Sequence, residues 1–176
     1  MATLHKGHGR TNAFKLRAPE NSPHVQYLVD TNILLLLFVG HLDRDLVPNC
    51  KRTAQFVPED YDILTRYLCT FTTLATTPNV LTEVSNLAKS LGHRKAEFFR
   101  DVFSPSVQTL EETYVESKTI VNEGHSACLG LTDSAIISLA KGRYLLLTDD
   151  FRLAQYFQSI GGDAINFNHI RPRYWT

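Results

Sequence analysis

The sequence predicts an α/β fold in which helices cover both faces of a mostly parallel central sheet, as in a three-layer α/β/α sandwich. Short apolar segments that are typical of buried strands alternate along the chain with longer segments of helical periodicity. Residues 144–147 are apolar without interruption, as expected of a central parallel strand that is buried on both faces. A chain of 176 residues, 43% of them hydrophobic, can bury a sizeable core within a single domain.

Residues that start or stop regular structure bound the predicted elements. Caps and prolines precede the helical periods, and glycines or a Ser-Pro pair follow them. In the first part of the chain we predict a strand at 25–29, a helix from 33, a helix at 58–72, a strand at 73–75, a helix at 78–92 and a helix at 94–103 that Pro105 stops. In the second part we predict a helix at 107–114, a loop at 124–130, a helix capped by Thr132 and stopped by Gly142, the strand at 144–147, a helix at 151–160 and a strand at 164–167.

The chain has no net charge, but its charged residues are unevenly distributed along the sequence. The 18 basic and 18 acidic side chains give a net charge of zero, which excludes the strong basic field of many nucleic-acid-binding domains and the charge surplus of disordered chains. The first 24 residues carry four basic side chains against the single acid Glu20. We predict a flexible basic extension at 1–24, with a transit peptide as the alternative, one domain at 25–170 and a short tail at 171–176. The basic side chains of the extension are Lys6, Arg10, Lys15 and Arg17.

The cysteines and the apolar runs indicate where the protein resides. Cys50, Cys69 and Cys128 are odd in number and widely spaced, which predicts reduced core residues and neither a disulfide framework nor a zinc knuckle. The longest apolar run, at 33–39, is about a third of the roughly 20 residues that a membrane-spanning helix requires. We therefore expect a soluble, cytoplasmic protein with no membrane partner.

Acidic residues stand where predicted strands end or predicted helices begin. Asp30 follows the first strand, Asp133 opens a late helix, and Asp149 and Asp150 follow the strand at 144–147. Glu83 lies within the helix at 78–92, and its spacing from the apolar residues of that helix predicts a carboxylate that points inward or along the edge of the core. Loop ends above the carboxyl edge of a parallel sheet converge, so these acids could bind a hard divalent cation together.

Each acid also has a structural explanation. Asp133 in a first turn would complement the helix macrodipole, and Asp149 or Asp150 would serve as an ordinary N-cap. Glu83 fits such an explanation less well, because an ionised carboxylate on an apolar helix face costs several kcal/mol unless it is paired or metal-bound. Asp30 interrupts an otherwise apolar stretch between a buried strand and a buried helix, which indicates a local reason for its charge.

The order of these acids resembles that of the PIN-domain nucleases, a family that includes the VapC-type toxin ribonucleases. The resemblance covers roughly residues 25–170 and rests on four short motifs. The motifs are Leu28-Val29-Asp30-Thr31-Asn32, Thr82-Glu83-Val84, Gly130-Leu131-Thr132-Asp133 and Leu147-Thr148-Asp149-Asp150. The chain departs from the compact toxin members in its basic extension and in its long segment between residues 33 and 83.

The resemblance implies a PIN-like, Rossmann-like fold and a ribonuclease that hydrolyses phosphodiester bonds of single-stranded RNA with Mg²⁺ or Mn²⁺. It implies that Asp30, Asp133 and the Asp149–Asp150 pair coordinate the metal. Which of Asp149 and Asp150 matches the fourth acid of the family pattern is left open. Glu83 would be a ligand through water or would orient the attacking water. Asn32 and Thr148 match the polar positions that support the acids.

The resemblance also suggests partners. A toxin of a toxin–antitoxin pair would be controlled by a protein inhibitor that places a basic side chain among the carboxylates, and a homodimer or larger assembly would suit the family. Arg171 and Arg173 near the end of the chain, beside aromatic residues, suit contact with RNA or a partner, and equally a plain C-terminal anchor. The alternative functions are an inactive PIN scaffold that binds RNA or protein, and a nuclease that acts on DNA or structured RNA.

Overall fold

A five-stranded, all-parallel sheet flanked by helices forms the centre of the protein, as the computed structural model shows for residues 26–69, 73–124 and 126–171. This architecture confirms the predicted α/β/α sandwich. The strands are β1 (Gln26–Val29), β2 (Thr73–Thr76), β3 (Glu111–Glu112), β4 (Leu145–Thr148) and β5 (Ala164–Asn166). Their order across the sheet is β3-β2-β1-β4-β5, so the two strands expected to be central, β1 and β4, are neighbours and neither is an edge strand.

The strand order reverses between β1 and β4. The chain moves from β1 through β2 to β3, then returns to the other side of β1 and forms β4 and β5. In a parallel sheet such a switch point opens a crevice beyond the carboxyl ends of the two strands. Val29 pairs with Leu147, and the amide of Asp30 donates to the Leu147 carbonyl at 3.1 Å. Asp30 and Thr148 therefore stand side by side at this crevice.

Several helices begin at a side chain that accepts a hydrogen bond from the first turn. Asp30 accepts from the amide of Ile33 at 2.8 Å, and Thr77 accepts from the amide of Val80 at 3.3 Å. The helices are α1 (Thr31–Leu42), α2 (Pro58–Leu68), α3 (Pro78–Leu87), α4 (Lys95–Glu97), α5 (Ser104–Val107), α6 (Ser117–Asn122), α7 (Ser126–Leu129), α8 (Leu131–Ala140) and α9 (Phe151–Ser159). Short 3₁₀ segments occur at Arg44–Leu46, Ala88–Arg94 and Phe167–His169.

The core is built around α1. Every residue of the apolar run at 33–39 is completely buried, as expected of a helix that is hydrophobic all round. Gly40 lets the ring of Tyr61 on α2 pack directly against the α1 backbone, where any side chain would collide with it. Phe38 packs against Phe98 and Phe103, with ring centroids 6.4 and 6.1 Å apart. Because Asp30 and Asn32 begin this buried helix, their positions at the crevice are held rigidly.

The helix predicted at 94–103 does not stop at Pro105, and in this respect the prediction was wrong. A π-helical segment, Phe98–Phe103, joins α4 to α5, and the amide of Ser104 bonds to the carbonyl of Phe99, five residues earlier. In a regular α-helix the proline ring would collide with the carbonyl four residues before it. This collision does not arise in the wider π turn, so the chain remains helical past the proline.

The predictions for residues 107–114 and 124–130 were also wrong. Residues predicted as a helix contain the edge strand β3, whose Glu111 pairs with Ala75 of β2. Residues predicted as a loop contain the short helix α7, whose Leu129 packs against the core. Both elements are held by tertiary contacts and are too short to establish a periodicity of their own.

Some predicted helix boundaries differ from the structure. The helix predicted to end near residue 72 ends at Leu68, and Cys69 is its C-cap. Gly130, not Thr132, is the N-cap of α8, and its φ of 86° lies in the left-handed region that favours glycine. Thr132 lies within the first turn, as Asp133 does. The helix predicted at 78–92 is α-helical only to Leu87 and continues as a 3₁₀ segment, in which Gly92 has a φ of 56°.

All three cysteines are free, and Cys50 is buried as predicted, but Cys69 and Cys128 are exposed and therefore not core residues. Cys69 follows the last residue of α2, and Cys128 belongs to the short helix α7, where one face meets solvent. Within the part of the chain that the structure describes, no helix is both long and apolar enough to cross a membrane.

Some predicted features lie outside the described residues. These are Val25 at the start of the first predicted strand and side chains proposed for RNA or partner contact. The side chains are Lys6, Arg10, Lys15 and Arg17 of the extension and Arg173, Tyr174 and Trp175 of the tail.

Candidate active site at the acidic edge

Asp30 is the most enclosed acid of the crevice. Its carboxylate is only 5% exposed and accepts hydrogen bonds from the amide of Ile33 at 2.8 Å, the amide of Asp149 at 3.2 Å and the hydroxyl of Thr148. A carboxylate offers about four acceptor positions. Among the described donors three are used, so one lone pair of Asp30 Oδ1 is left for a further ligand.

Asp149 faces Asp30 from the end of β4 and is held by two amide side chains. Asn32 Nδ2 donates to Asp149 Oδ1 at 3.1 Å, and Gln55 Nε2 donates to Asp149 Oδ2 at 2.7 Å. Asn168 Nδ2 donates to the main-chain carbonyl of Asp149 at 2.8 Å. The side chain and the backbone of Asp149 are therefore both fixed by neighbours from other elements.

A second group of acids lies around Asp133, in the first turn of α8. Asp150 and Glu83 each lie near enough to Asp133 for their charges to raise its pKa. Asp150 is exposed and caps α9, where its Oδ1 accepts from the amides of Arg152 at 2.7 Å and Leu153 at 3.1 Å. The capping explanation considered from the sequence thus holds for Asp150, while Asp149 points into the crevice.

Glu83 is exposed, so of the two predicted placements the inward one was wrong and the one along the edge of the core agrees with the structure. The buried face of α3 consists of Val80, Leu81 and Val84, and the helix is rotated so that Glu83 lies beside that face. Thr31 Oγ1 donates to Glu83 Oε2 at 3.1 Å, which joins the first turn of α1 to α3. Glu83 is therefore a positioned surface carboxylate at the acidic edge and bears no cost of core burial.

Burial and mutual repulsion raise the pKa values of three of these acids. Burial, followed by the charge of Asp149, raises the pKa of Asp30 to about 8 against the hydrogen bonds that it accepts. Burial, followed by the charges of Asp150 and Glu83, raises the pKa of Asp133 to about 6. The pKa of Asp149 is also raised, chiefly by burial, although Asn32 and Gln55 oppose the shift. Such shifts are frequent at functional sites, although ion-pair networks produce them as well.

The donor set suits a hard divalent cation in chemistry and in charge. Within residues 26–69, 73–124 and 126–171, no three His, Cys, Asp or Glu side chains converge closely enough to form a metal site by themselves. Mg²⁺ often takes only one or two protein carboxylates and keeps several waters. The neighbouring carboxylates of Asp30 and Asp149 meet that demand, and a cation between them would relieve their repulsion.

Arg171 anchors the C-terminal end of the domain beside this site. Its guanidinium binds both oxygens of Asp60, at 2.9 and 2.8 Å, and lies over the Phe56 ring at 5.0 Å from its centroid. It also donates to the backbone carbonyl of Gln55 at 3.1 Å and to Asn168 Oδ1 at 3.0 Å. Of the two explanations considered for Arg171, the structure favours the anchor over nucleic-acid contact.

The positioning residues Gln55 and Asn168 were not predicted from the sequence. Gln55 lies in the irregular segment between α1 and α2, and Asn168 lies in the 3₁₀ segment after β5. Both act through tertiary contacts to Asp149, for which the local sequence contains no periodic signal. Thr31 was quoted within the first motif but had no assigned role, although a hydroxyl next to Asp30 was a reasonable candidate for supporting an acid.

The raised pKa of Asp30 predicts a specific dependence of stability on pH. The ordinary pKa of the carboxyl is 3.8 and the value in the fold is about 8, so folding favours the protonated form. This contribution is complete below about pH 4 and is lost as the pH rises towards 8. In EDTA, the free energy of unfolding of the wild-type protein is expected to fall by several kcal/mol more between pH 5 and pH 8 than that of Asp30→Asn.

Urea denaturation of both proteins at each pH, with and without Mn²⁺, measures this difference. Added Mn²⁺ should reduce the wild-type loss at pH 8, because a ligand that binds only the folded state stabilises it. Identical pH profiles for the two proteins would show that Asp30 ionises normally and would contradict the account of its burial.

Comparison with known proteins adds little to this geometry. No protein-family model matches the chain, and no curated protein matches it. Among solved structures, the chain is similar to a domain of a functionally unknown protein from Methanocaldococcus jannaschii DSM 2661, at 18% sequence identity. The match covers 81% of this chain and 90% of that chain, with a TM-score of 0.45. A likeness at this level establishes neither a family nor a function.

Proposed function

We propose that the protein is a metal-dependent endoribonuclease that hydrolyses phosphodiester bonds of single-stranded RNA. The observation that carries the proposal is the pairing of Asp30 with Asp149 at the switch point of a parallel sheet, with Asp133, Asp150 and Glu83 alongside. The order of these acids along the chain resembles that of the PIN-domain motifs. Neither the geometry nor the motif order alone would select this chemistry, but together they favour it.

In this proposal the residues of the chain have three roles: to hold the cation, to position its carboxylate ligands and to orient the attacking water. Asp30 and Asp149 would hold the cation, and Asn32, Gln55 and Thr148 keep their carboxylates in place. A bound divalent cation would acidify a water molecule and offset the charge of the scissile phosphate.

Asp133 and Glu83 orient the attacking water and accept its proton. The pKa of Asp133 is raised to about 6, close to the range that suits a general base at neutral pH. Thr31 fixes one oxygen of Glu83 by donating to it at 3.1 Å, so the other oxygen is available to a water. Asp150 contributes negative charge near Asp133 while it caps α9.

Cleavage assays with a mixture of substrates test the proposal. The purified chain is incubated with single-stranded RNA, duplex RNA and single-stranded DNA, in Mn²⁺ or in EDTA, beside Asp30→Asn. The expected result is cleavage of single-stranded RNA that requires both Mn²⁺ and Asp30. Cleavage of DNA or duplex RNA instead would change the substrate class, and equal cleavage by wild type and Asp30→Asn would contradict the assignment of Asp30 to the active site.

The basic extension is expected to strengthen binding to the RNA backbone. Replacing its four basic residues with glutamine should weaken RNA binding. The plot of log affinity against log salt concentration should become less steep by up to about 3, because each phosphate contact with a single strand contributes about 0.7 to the steepness. The substituted residues are Lys6, Arg10, Lys15 and Arg17. Fluorescence anisotropy over a salt series, with deletion of residues 1–20 as a second variant, measures this. An unchanged slope in both variants would assign the extension to another role.

A further inference from the structure

A groove of about 460 Å³ lies beside the acidic edge, where the carboxyl ends of β2 and β3 meet the start of α3. Its size is within the range of roughly 300–1,000 Å³ that is usual for small-ligand sites. The residues that line it are Pro78, Asn79, Thr82, Glu83, Asn86, Tyr114, Ser117 and Thr132. Glu83 belongs to the acidic edge as well, and Thr132 precedes Asp133 in α8, so the groove adjoins the acidic edge.

Tyr114 forms the exposed wall of this groove. Its side chain is 72% exposed, more than any other large hydrophobic residue in the described part of the chain. The residue before it, Thr113, donates its amide to the Thr76 carbonyl at 3.0 Å, which extends the β2–β3 pairing and fixes the start of the connection to α6. A lone exposed ring needs no explanation, but an exposed ring on the wall of a groove beside catalytic candidates offers a surface for a flat ligand.

The lining is polar but nearly uncharged. Five of the lining residues carry an amide or hydroxyl side chain, namely Asn79, Thr82, Asn86, Ser117 and Thr132, and among the described lining residues Glu83 carries the only charge. Without a basic side chain the lining does not favour a phosphate. A neutral ring with hydrogen-bond donors and acceptors on its edge fits it better, because amide and hydroxyl groups can serve as both donors and acceptors.

We propose that this groove is a nucleobase subsite in which Tyr114 stacks on one unpaired base of the RNA substrate while Asn79 and Asn86 bond to the edge of that base. The inference rests on the proposed ribonuclease function and deepens it by assigning a place to the substrate. A base held here would bring its adjoining phosphate beside Glu83, at the acidic edge where a bound cation would offset the charge of that phosphate. Bases stacked within a duplex cannot enter, so the subsite selects single-stranded substrates.

Binding without cleavage tests the subsite independently of catalysis. A single-stranded RNA that contains the fluorescent base 2-aminopurine is titrated with protein in EDTA, where stacking quenches the fluorescence. Base–aromatic stacking contributes about 1–3 kcal/mol, so Tyr114→Ala should weaken binding by about 5- to 150-fold and abolish the quenching. Tyr114→Phe retains the ring and should retain both signals. Val121→Ala, which alters a half-exposed apolar residue of α6 outside the groove lining, is the matched control and should behave like wild type.

Cleavage in Mn²⁺ gives a second readout. Loss of stacking in the bound substrate should raise KM of Tyr114→Ala and leave kcat nearly unchanged. Equal affinity and quenching for wild type and Tyr114→Ala would overturn the subsite even if the protein cleaves RNA. Tyr114-dependent binding by a protein that cleaves nothing would support the subsite and refute the ribonuclease proposal. Absence of binding to single-stranded RNA by the wild-type protein, both in EDTA and in Mn²⁺, would overturn both.

Discussion

Asp30→Asn is expected to lower kcat for RNA cleavage by more than about 100-fold while leaving the protein folded. Replacing a residue that only supports a metal ligand typically costs 10- to 100-fold in affinity or activity, and Asp30 is assigned as a ligand itself. Asparagine keeps one oxygen to accept from the Ile33 amide, so the cap of α1 survives. Above pH 8, where Asp30 is ionised in the fold, removal of a buried charge beside Asp149 should also raise the melting temperature in EDTA.

Asp163→Asn is the matched control for this substitution. Asp163 is an exposed acid immediately before β5, at the amino ends of the strands and therefore away from the acidic edge. Its replacement makes the same chemical change and is expected to leave both kcat and the melting temperature as they are. The account of the acids is refuted if the activity of Asp30→Asn falls only in proportion to a loss of folded protein, because that result would assign Asp30 a capping role alone.

Arg171→Ala is expected to destabilise the fold by roughly 3–5 kcal/mol, the usual effect of removing one partner from a buried ion pair. The Asp60 side chain is completely buried and the Arg171 side chain is 18% exposed, so the substitution leaves an unpaired carboxylate inside the protein. Asp60 also accepts from the amide of Val57 at 2.9 Å, a bond that persists and offsets little of that cost. Because Arg171 bonds to Gln55 and Asn168, which hold Asp149, activity should fall as well.

Urea denaturation of Arg171→Ala, Asp60→Ala and the double variant measures the coupling between the two residues. The double variant should lose less stability than the sum of the two single variants, since it leaves no unpaired charge. Arg44→Ala removes an exposed partner of Asp62 and should cost no more than about 1 kcal/mol. Equal losses of unfolding free energy for Arg171→Ala and Arg44→Ala would mean that burial does not increase the contribution of the Asp60–Arg171 ion pair to stability.

The sheet and the order of the acids could be predicted from the sequence because each depends on local pattern. Residues 144–147 read as a buried strand, and β4 occupies Leu145–Thr148. Thr77 before Pro78 read as an N-cap, and Thr77 accepts from the amide of Val80. Asp30 and Asp149 follow the two strands that flank the switch point, so topology alone makes them neighbours.

The elements that could not be predicted depend on tertiary contacts. β3 has two residues, both glutamate, and its place in the sheet comes from backbone pairing with β2. Glu83 shares its side of the helical wheel with apolar residues, and only the packing of α3 shows that it remains outside the buried stripe. Gln55 and Arg171 reach Asp149 and Asp60 across more than 90 residues of sequence, beyond the reach of any local pattern.

Direct titration with Mn²⁺, followed by electron paramagnetic resonance of the free ion, tests most directly the claim that the acidic edge is a divalent-cation site. The wild-type protein at pH 8 is expected to bind Mn²⁺ saturably, Asp163→Asn to bind it equally well, and Asp30→Asn to bind it at least about tenfold more weakly. Saturable binding that is the same in wild type and Asp30→Asn, or no binding by a wild-type protein that is folded, would contradict the account.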